Sequence, residues 1–172
     1  MKIIGGYRVV DALVDWGTHN TRWRAGRDIR DALRGVDFAL TYYAALVSKI
    51  LALEPFGCAR VELVAEDARK IRLFDRNTPS DQCLTADQWA TGAKDDMFVR
   101  RYMEADRVLG PLTCTSKGET TADDLRLSLP LVMFDGFTRV AAWILHGRNE
   151  KVYPIVANLI LTKKDAMKGS AQ

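Results

Sequence analysis

Residues 133–146 combine the residue types that bind phosphate groups at the start of a helix. An apolar run leads to Asp135-Gly136, and the periodicity predicts a helix from Thr138 onward. The first backbone N–H groups of a helix have no partner within it, and with the helix dipole they attract anions. Gly136 has no Cβ and allows close approach, Thr138 offers a hydroxyl, and Arg139 offers a planar fork of donors that matches phosphate oxygens.

Asp135 is the acidic residue of this segment, and three roles are open to it. It can hold a metal ion, orient Arg139, or act as a base. A purely structural interpretation is also open at this point. In it, Asp135 caps the helix, Gly136 is an ordinary turn residue, and Arg139 lies on the surface.

The elements that must position this segment are helices alternating with buried strands, which indicates a mixed α/β fold. In chain order they are helices at 26–34 and 38–54, a strand at 60–64, an ambiguous helix or strand entry at 65–74, a loop at 77–81, a helix from Thr85, a helix at 95–109, a strand at 125–134, a helix at 138–146 and a strand at 153–162. The second of these helices is apolar on most sides, which predicts a buried helix.

Two further stretches carry specific expectations. In the helix at 95–109, capped by Asp95-Asp96, the buried stripe is predicted to include Met97, Phe98 and Tyr102. The polar stretch 113–124 is predicted to be a surface loop or hairpin.

Composition sets bounds on the kind of protein this is. The chain has 172 residues, 48% hydrophobic and 27% charged, which predicts one globular domain with a sizeable core. A net charge of +3 is below what a dedicated DNA-coating protein carries. No apolar run is long enough to cross a bilayer, and no signal peptide is recognised, so we expect a soluble cytoplasmic protein without a membrane span. The three cysteines are widely spaced and form no metal-binding pair.

The tetrad Gly136-Phe137-Thr138-Arg139, the small residues after it and the strand at 153–157 resemble the signature of the ParB/sulfiredoxin superfamily. The resemblance implies a compact α/β domain with a small mixed sheet, here with a helical N-terminal extension. It also implies that the G-x-x-R turn grips the phosphates of a nucleotide such as ATP or CTP. An upstream helix lends polar contacts in that superfamily. Its counterpart here is the helix at 95–109, whose candidates are Arg100, Arg101 and Glu104.

Two departures from the superfamily pattern narrow the expected function. Sulfiredoxins carry a cysteine and a histidine just before the arginine, where this chain has Phe137 and Thr138, which disfavours sulfinic-acid reduction. ParB proteins continue into a helix-turn-helix domain, and this chain ends at residue 172, which disfavours centromere recognition. By size and layout the chain is similar to the fertility-inhibition proteins of conjugative plasmids. That group blocks DNA transfer by type IV secretion and is associated with ATP hydrolysis and DNA cleavage.

The resemblance leads to a specific set of expectations. Residues 1–57 form the helical extension packed on the core, 58–165 form the ParB/sulfiredoxin-like domain, and 166–172 form a frayed tail. The expected partners are a nucleotide, DNA without sequence specificity, and a coupling component of a type IV secretion system.

In the catalytic interpretation, ATP binds at Gly136, Thr138 and Arg139, with help from Arg100 and Arg101. Asp135 and Glu104, with Mg²⁺ held by Asp135, position water for hydrolysis or phosphodiester cleavage, and Arg139 assists. The alternatives are a non-catalytic protein-binding module with a vestigial phosphate site, and a small-molecule kinase on the same fold.

Overall fold

The computed structural model describes residues 1–13, 41, 44–74, 82–104, 110–116, 131–147 and 154–165. The predicted helix at 26–34, the loop at 77–81 and the tail at 166–172 lie outside these residues. None of the described helices is long and apolar enough to cross a membrane.

A six-stranded mixed sheet is the centre of the fold, and the predicted α/β class is confirmed. Its strands are β1 (Lys2–Tyr7), β2 (Pro55–Leu63), β3 (Arg72–Leu73), β4 (Leu112–Thr115), β5 (Val132–Asp135) and β6 (Ile155–Thr162). The spatial order is β1-β2-β6-β4-β5-β3. The β6–β4 and β5–β3 pairs are parallel and the other three are antiparallel. The short strand β4 therefore lies between β6 and β5 in the interior of the sheet.

Four bounded helices pack around the sheet. They are α1 (Ala65–Lys70), α2 (Ala86–Gly92), α3 (Met97–Glu104) and α4 (Phe137–His146), and residues 9–13 and 44–52 are also helical. The predicted start of α2 is confirmed by a capping box, in which Thr85 Oγ1 accepts from the Gln88 backbone N–H at 3.2 Å. The predicted cap of α3 is confirmed at Asp96, whose Oδ1 accepts from the backbone N–H groups of Phe98 and Val99.

The two faces of the sheet bury two separate apolar clusters, because successive side chains of a strand point to opposite faces. In and just before β5, Leu131 and Met133 join the first core, which packs against α1 to α4. Val132 and Phe134 join the second core, which packs against the helical residues 9–13 and 44–52. The described elements therefore form three layers, with helices on both faces of the sheet.

Three expectations from the sequence are wrong. Of the two alternatives for the stretch that begins at Thr113, the surface loop is wrong at its start, because β4 is buried along its whole length and pairs antiparallel with β5. The helix that precedes β2 is not buried all round, since Leu51 is 54% exposed while Leu46 and Ile50 face the second core.

The third wrong expectation concerns α3. Its first two residues, Met97 and Phe98, are about half exposed, whereas Val99 and Tyr102 are buried. The contact with α4 decides which stripe of so short a helix is covered.

The N-terminal region also contains a strand of the sheet. Lys2–Tyr7 pairs with β2 and so belongs to the sheet, within the stretch predicted as a helical extension. Strand β2 begins at Pro55 rather than at Arg60. The division of the chain at residue 57 stays a prediction.

Candidate functional site

The turn between β5 and α4 has an unusual backbone conformation at Gly136. Its φ is +106° and its ψ is 14°, in the left-handed region, and as the N-cap residue of the helix it has no side chain with which to cap it. A Cβ at this position would collide with Leu112 Cδ2 and come within 3.3 Å of Arg139 Nη2. Glycine is therefore required by the packing of β4 against the turn as well as by the backbone angle.

The N-terminus of α4 has the geometry of an anion site. The first bond within the helix runs from the Val140 N–H to the Gly136 carbonyl at 2.9 Å. The N–H groups of Phe137, Thr138 and Arg139 precede it, so the helix itself offers them no acceptor. The side chains of Phe137 and Thr138 are half-buried, which brings this end of the 10-residue helix to the surface.

Arg139 lies beneath the turn, not in front of it. The residue is 3% exposed. Its Nη1 donates to the Pro111 carbonyl at 2.5 Å and its Nη2 donates to Asp135 Oδ2. The guanidinium thus joins the chain just before β4 to the end of β5. Of the three roles open to Asp135, the observed geometry is the one in which it orients Arg139, and the interpretation that placed Arg139 on the surface is wrong.

The three candidates on α3 lie on its exposed side. Arg100 pairs with Asp95, and the Arg101 guanidinium carbon lies 6.0 Å from the centre of the Phe98 ring. Glu104 is exposed at the last residue of α3. The fold brings α3 against α4 as expected, but the contact is made by apolar side chains of the first core. The part of these three residues in nucleotide binding stays a prediction.

Cys114 is the cysteine of the site region. It is fully buried on β4 beside Met133 of β5. Burial raises the pKa of the Cys114 thiol far above its ordinary value, Arg139 opposes that rise, and Asp135 adds to it. A thiol with a strongly raised pKa stays protonated at neutral pH and is a poor nucleophile. Cys114 is therefore part of the core under the turn.

The side chains that could hold a metal are not clustered in the described ranges. Those ranges contain no group of three or more His, Cys, Asp or Glu side chains placed to hold a metal ion. A magnesium site commonly needs only one or two carboxylates, since phosphate oxygens and water complete its shell. Asp135 would fit that pattern, but the buried Arg139 guanidinium at its Oδ2 would repel a cation at the same carboxylate.

Sequence reasoning missed two parts of the site, Pro111 and Leu112. Both lie between the predicted helix at 95–109 and the stretch 113–124 that was predicted to be a surface loop or hairpin. In β4, Leu112 and Cys114 alternate with the β-branched Thr113 and Thr115, but four residues are too few for that alternation to mark a buried strand.

Comparisons with protein-family models, with curated proteins and with solved structures find no match to this chain.

Proposed function

We propose that the protein binds the phosphate groups of a nucleotide at the N-terminus of α4, as a ParB/sulfiredoxin-like domain would. The observation that carries the proposal is the left-handed Gly136 directly before a 10-residue helix, an N-cap residue that has no side chain with which to cap the first N–H groups. The first N–H groups of a helix have no acceptor within it, and with the helix dipole they favour an anion.

The contacts in this proposal come mainly from the backbone. The N–H groups of Phe137 and Thr138 face the phosphate, and the Thr138 hydroxyl adds a donor. Arg139 acts as a positioning residue, because its guanidinium is buried against Asp135 and Pro111. It holds the turn in the conformation that exposes the N–H groups.

The catalytic part of the proposal is hydrolysis of ATP and cleavage of DNA. A water oxygen would attack phosphorus while the bond to the leaving oxygen breaks, and Asp135 or Glu104 would accept the proton of the water. Mg²⁺ would neutralise phosphate charge. The contact of Asp135 Oδ2 with Arg139 lowers the basicity of this carboxylate for that role. The proposed biological outcome is inhibition of plasmid DNA transfer through type IV secretion, by contact with a coupling component of that system.

A non-catalytic binding module is the second candidate, and the Asp135–Arg139 pair favours it. A carboxylate that is already paired with a buried guanidinium is poorly placed to hold a metal or accept a proton. The two candidates differ in whether purified protein with Mg²⁺ hydrolyses ATP or degrades DNA. The exposed Glu104→Gln variant tests the role of the second carboxylate without disturbing the core.

Binding itself is best tested by Thr138→Glu. A carboxylate in the first turn of α4 stabilises the helix through its dipole, but it repels a phosphate at the same place. We expect ATP and inorganic triphosphate to bind the unmodified protein in calorimetry and to lose at least tenfold in affinity with Thr138→Glu, while the unfolding temperature is kept or raised.

Thr91→Glu is the matched control, since it adds the same charge to an exposed position of α2. Equal affinities of the two variants for triphosphate would refute binding at α4.

A further inference from the structure

Polar side chains form a row across the face of the sheet that carries the second core, opposite α4. Arg60 of β2 lies beside Asn158 of β6, and Asn158 lies beside Thr113 of β4. Thr115 lies two residues further along β4, on the same face, with Ile160 and Val132 as its neighbours in register. Asn158 and both threonines are at most 1% exposed.

The fold satisfies the polar groups at the far end of this face. Ser116 Oγ accepts from the backbone N–H of Thr162 at 3.1 Å, and Thr162 Oγ1 donates to the Lys164 carbonyl at 2.9 Å. Buried hydroxyls are normally paired in this way. Unpaired polar atoms in the same layer are therefore exceptions that need a reason.

Two such atoms lie in the middle of the row. Asn158 Nδ2 and Thr115 Oγ1 are buried and have no hydrogen-bond partner among the described residues. The orientation of the amide is settled by Arg60, whose Nε donates to Asn158 Oδ1 at 2.9 Å. Nδ2 is therefore a donor turned away from Arg60.

Asn158 and Thr115 are diagonal neighbours on strands β6 and β4, because Thr113 is the residue in register with Asn158. Diagonal neighbours on one face of a sheet have Cβ atoms roughly 7–8 Å apart. An amide and a hydroxyl that extend from such positions can share one small bridging molecule. Leaving both groups buried and unpaired would cost more stability than two ordinary hydrogen bonds contribute.

We propose that Asn158 and Thr115 form an internal binding site for one small oxygen-bearing guest. The oxygen of the guest accepts from Asn158 Nδ2, and the Thr115 hydroxyl completes its hydrogen bonding as donor or acceptor. Water has this chemistry, and so does the oxygen of a small carbonyl or carboxylate solute. The site is independent of the phosphate site proposed above, which lies on the other face of the sheet.

The first test is a nuclear magnetic resonance measurement on the intact protein. A through-space cross-peak between the Asn158 side-chain amide and a long-lived water identifies water as the guest. If the guest is a solute, the purified protein shows no such cross-peak. Unfolding followed by refolding in solute-free buffer then replaces the solute with water, and the cross-peak appears. Absence of the cross-peak both before and after refolding overturns the proposal.

The second test uses the sign of a stability change. Thr115→Val removes the hydroxyl and keeps the shape of the side chain. If a guest is bound, this change removes a hydroxyl that has a hydrogen-bond partner, so the urea concentration at the midpoint of unfolding falls. Thr162→Val calibrates that fall, because its hydroxyl makes an observed hydrogen bond. A rise of the midpoint with Thr115→Val means that the hydroxyl was buried without a partner, and it overturns the proposal.

Discussion

The buried ion pair under the turn gives the sharpest stability prediction. Arg139→Met removes the guanidinium but keeps an apolar stem of similar length. The change leaves the Asp135 carboxylate, whose side chain is 16% exposed, without its cationic partner, and it leaves the Pro111 carbonyl without its donor. Removal of one partner of a buried pair typically costs about 3–5 kcal/mol.

That loss is large beside the whole stability of a domain. The free energy of unfolding of a natural domain is about 5–15 kcal/mol. For a chain of this length each kilocalorie shifts the unfolding temperature by about 2–4 °C, so Arg139→Met should lower it by about 6–20 °C. Thermal and urea unfolding followed by circular dichroism measure both quantities.

A double-mutant cycle separates the pair from its surroundings. Asp135→Leu alone leaves the buried guanidinium unpaired, but the Arg139→Met, Asp135→Leu double variant replaces both charges with apolar groups. We expect the stability lost in the double variant to be smaller than the sum of the two single losses by about 1–3 kcal/mol.

Arg100→Met is the matched control, because Arg100 also pairs with an aspartate but on the surface. Its expected loss is within about 1 kcal/mol. Equal losses for Arg100→Met and Arg139→Met would refute the argument from burial. A binding test at Arg139 would confound ligand contact with collapse of the turn, which is why Thr138 is the better position for that test.

Three further predictions concern the backbone and a buried thiol. Gly136→Ala should cost about 2–5 kcal/mol in urea unfolding, because the position has a positive φ and the added Cβ collides with β4. Gly147 also has a positive φ but faces open space, so Gly147→Ala should cost only about 1–2 kcal/mol, and similar losses for the two variants would contradict the packing argument. Glu54 has a φ of +53°, which favours glycine, so the Glu54→Gly variant should unfold at a higher urea concentration than Glu54→Gln. Lys164 lowers the pKa of the Glu54 carboxyl, so the stability that Glu54→Gln loses relative to the unmodified protein should vanish as the pH falls through that lowered pKa. Burial raises the pKa of the Cys114 thiol, so the contribution of this thiol to the free energy of unfolding is complete below the ordinary thiol pKa of about 8.5. Above that pH the contribution is lost by up to about 1.4 kcal/mol per pH unit. Urea unfolding between neutral and alkaline pH should show this slope, and Cys114→Ala should reduce it.

The features that the sequence predicted well depend on residues close together in the chain. The Thr85 cap reaches Gln88, and the Asp96 cap reaches Phe98 and Val99. The turn at Gly136 follows from a strand that meets a helix with one glycine between them. Such signals act over three or four residues, so the sequence contains all their partners within one short window.

Tertiary structure decided the placement of β4. Four residues, two of them threonine, are too short and too polar for periodicity to mark a buried strand. They are buried because β6 and β5 supply hydrogen-bond partners on both edges, and because helices cover both faces of the sheet.

The sequence by itself determined that Asp135, Gly136, Thr138 and Arg139 stand at the start of a helix after a buried strand. Only the fold decided that Arg139 turns inward. Its second acceptor is the Pro111 carbonyl, 28 residues earlier in the chain, which β4 brings under the turn. A side chain that can reach either a ligand or a buried acceptor follows the acceptor that packing places beside it, and no local pattern of residues contains that information.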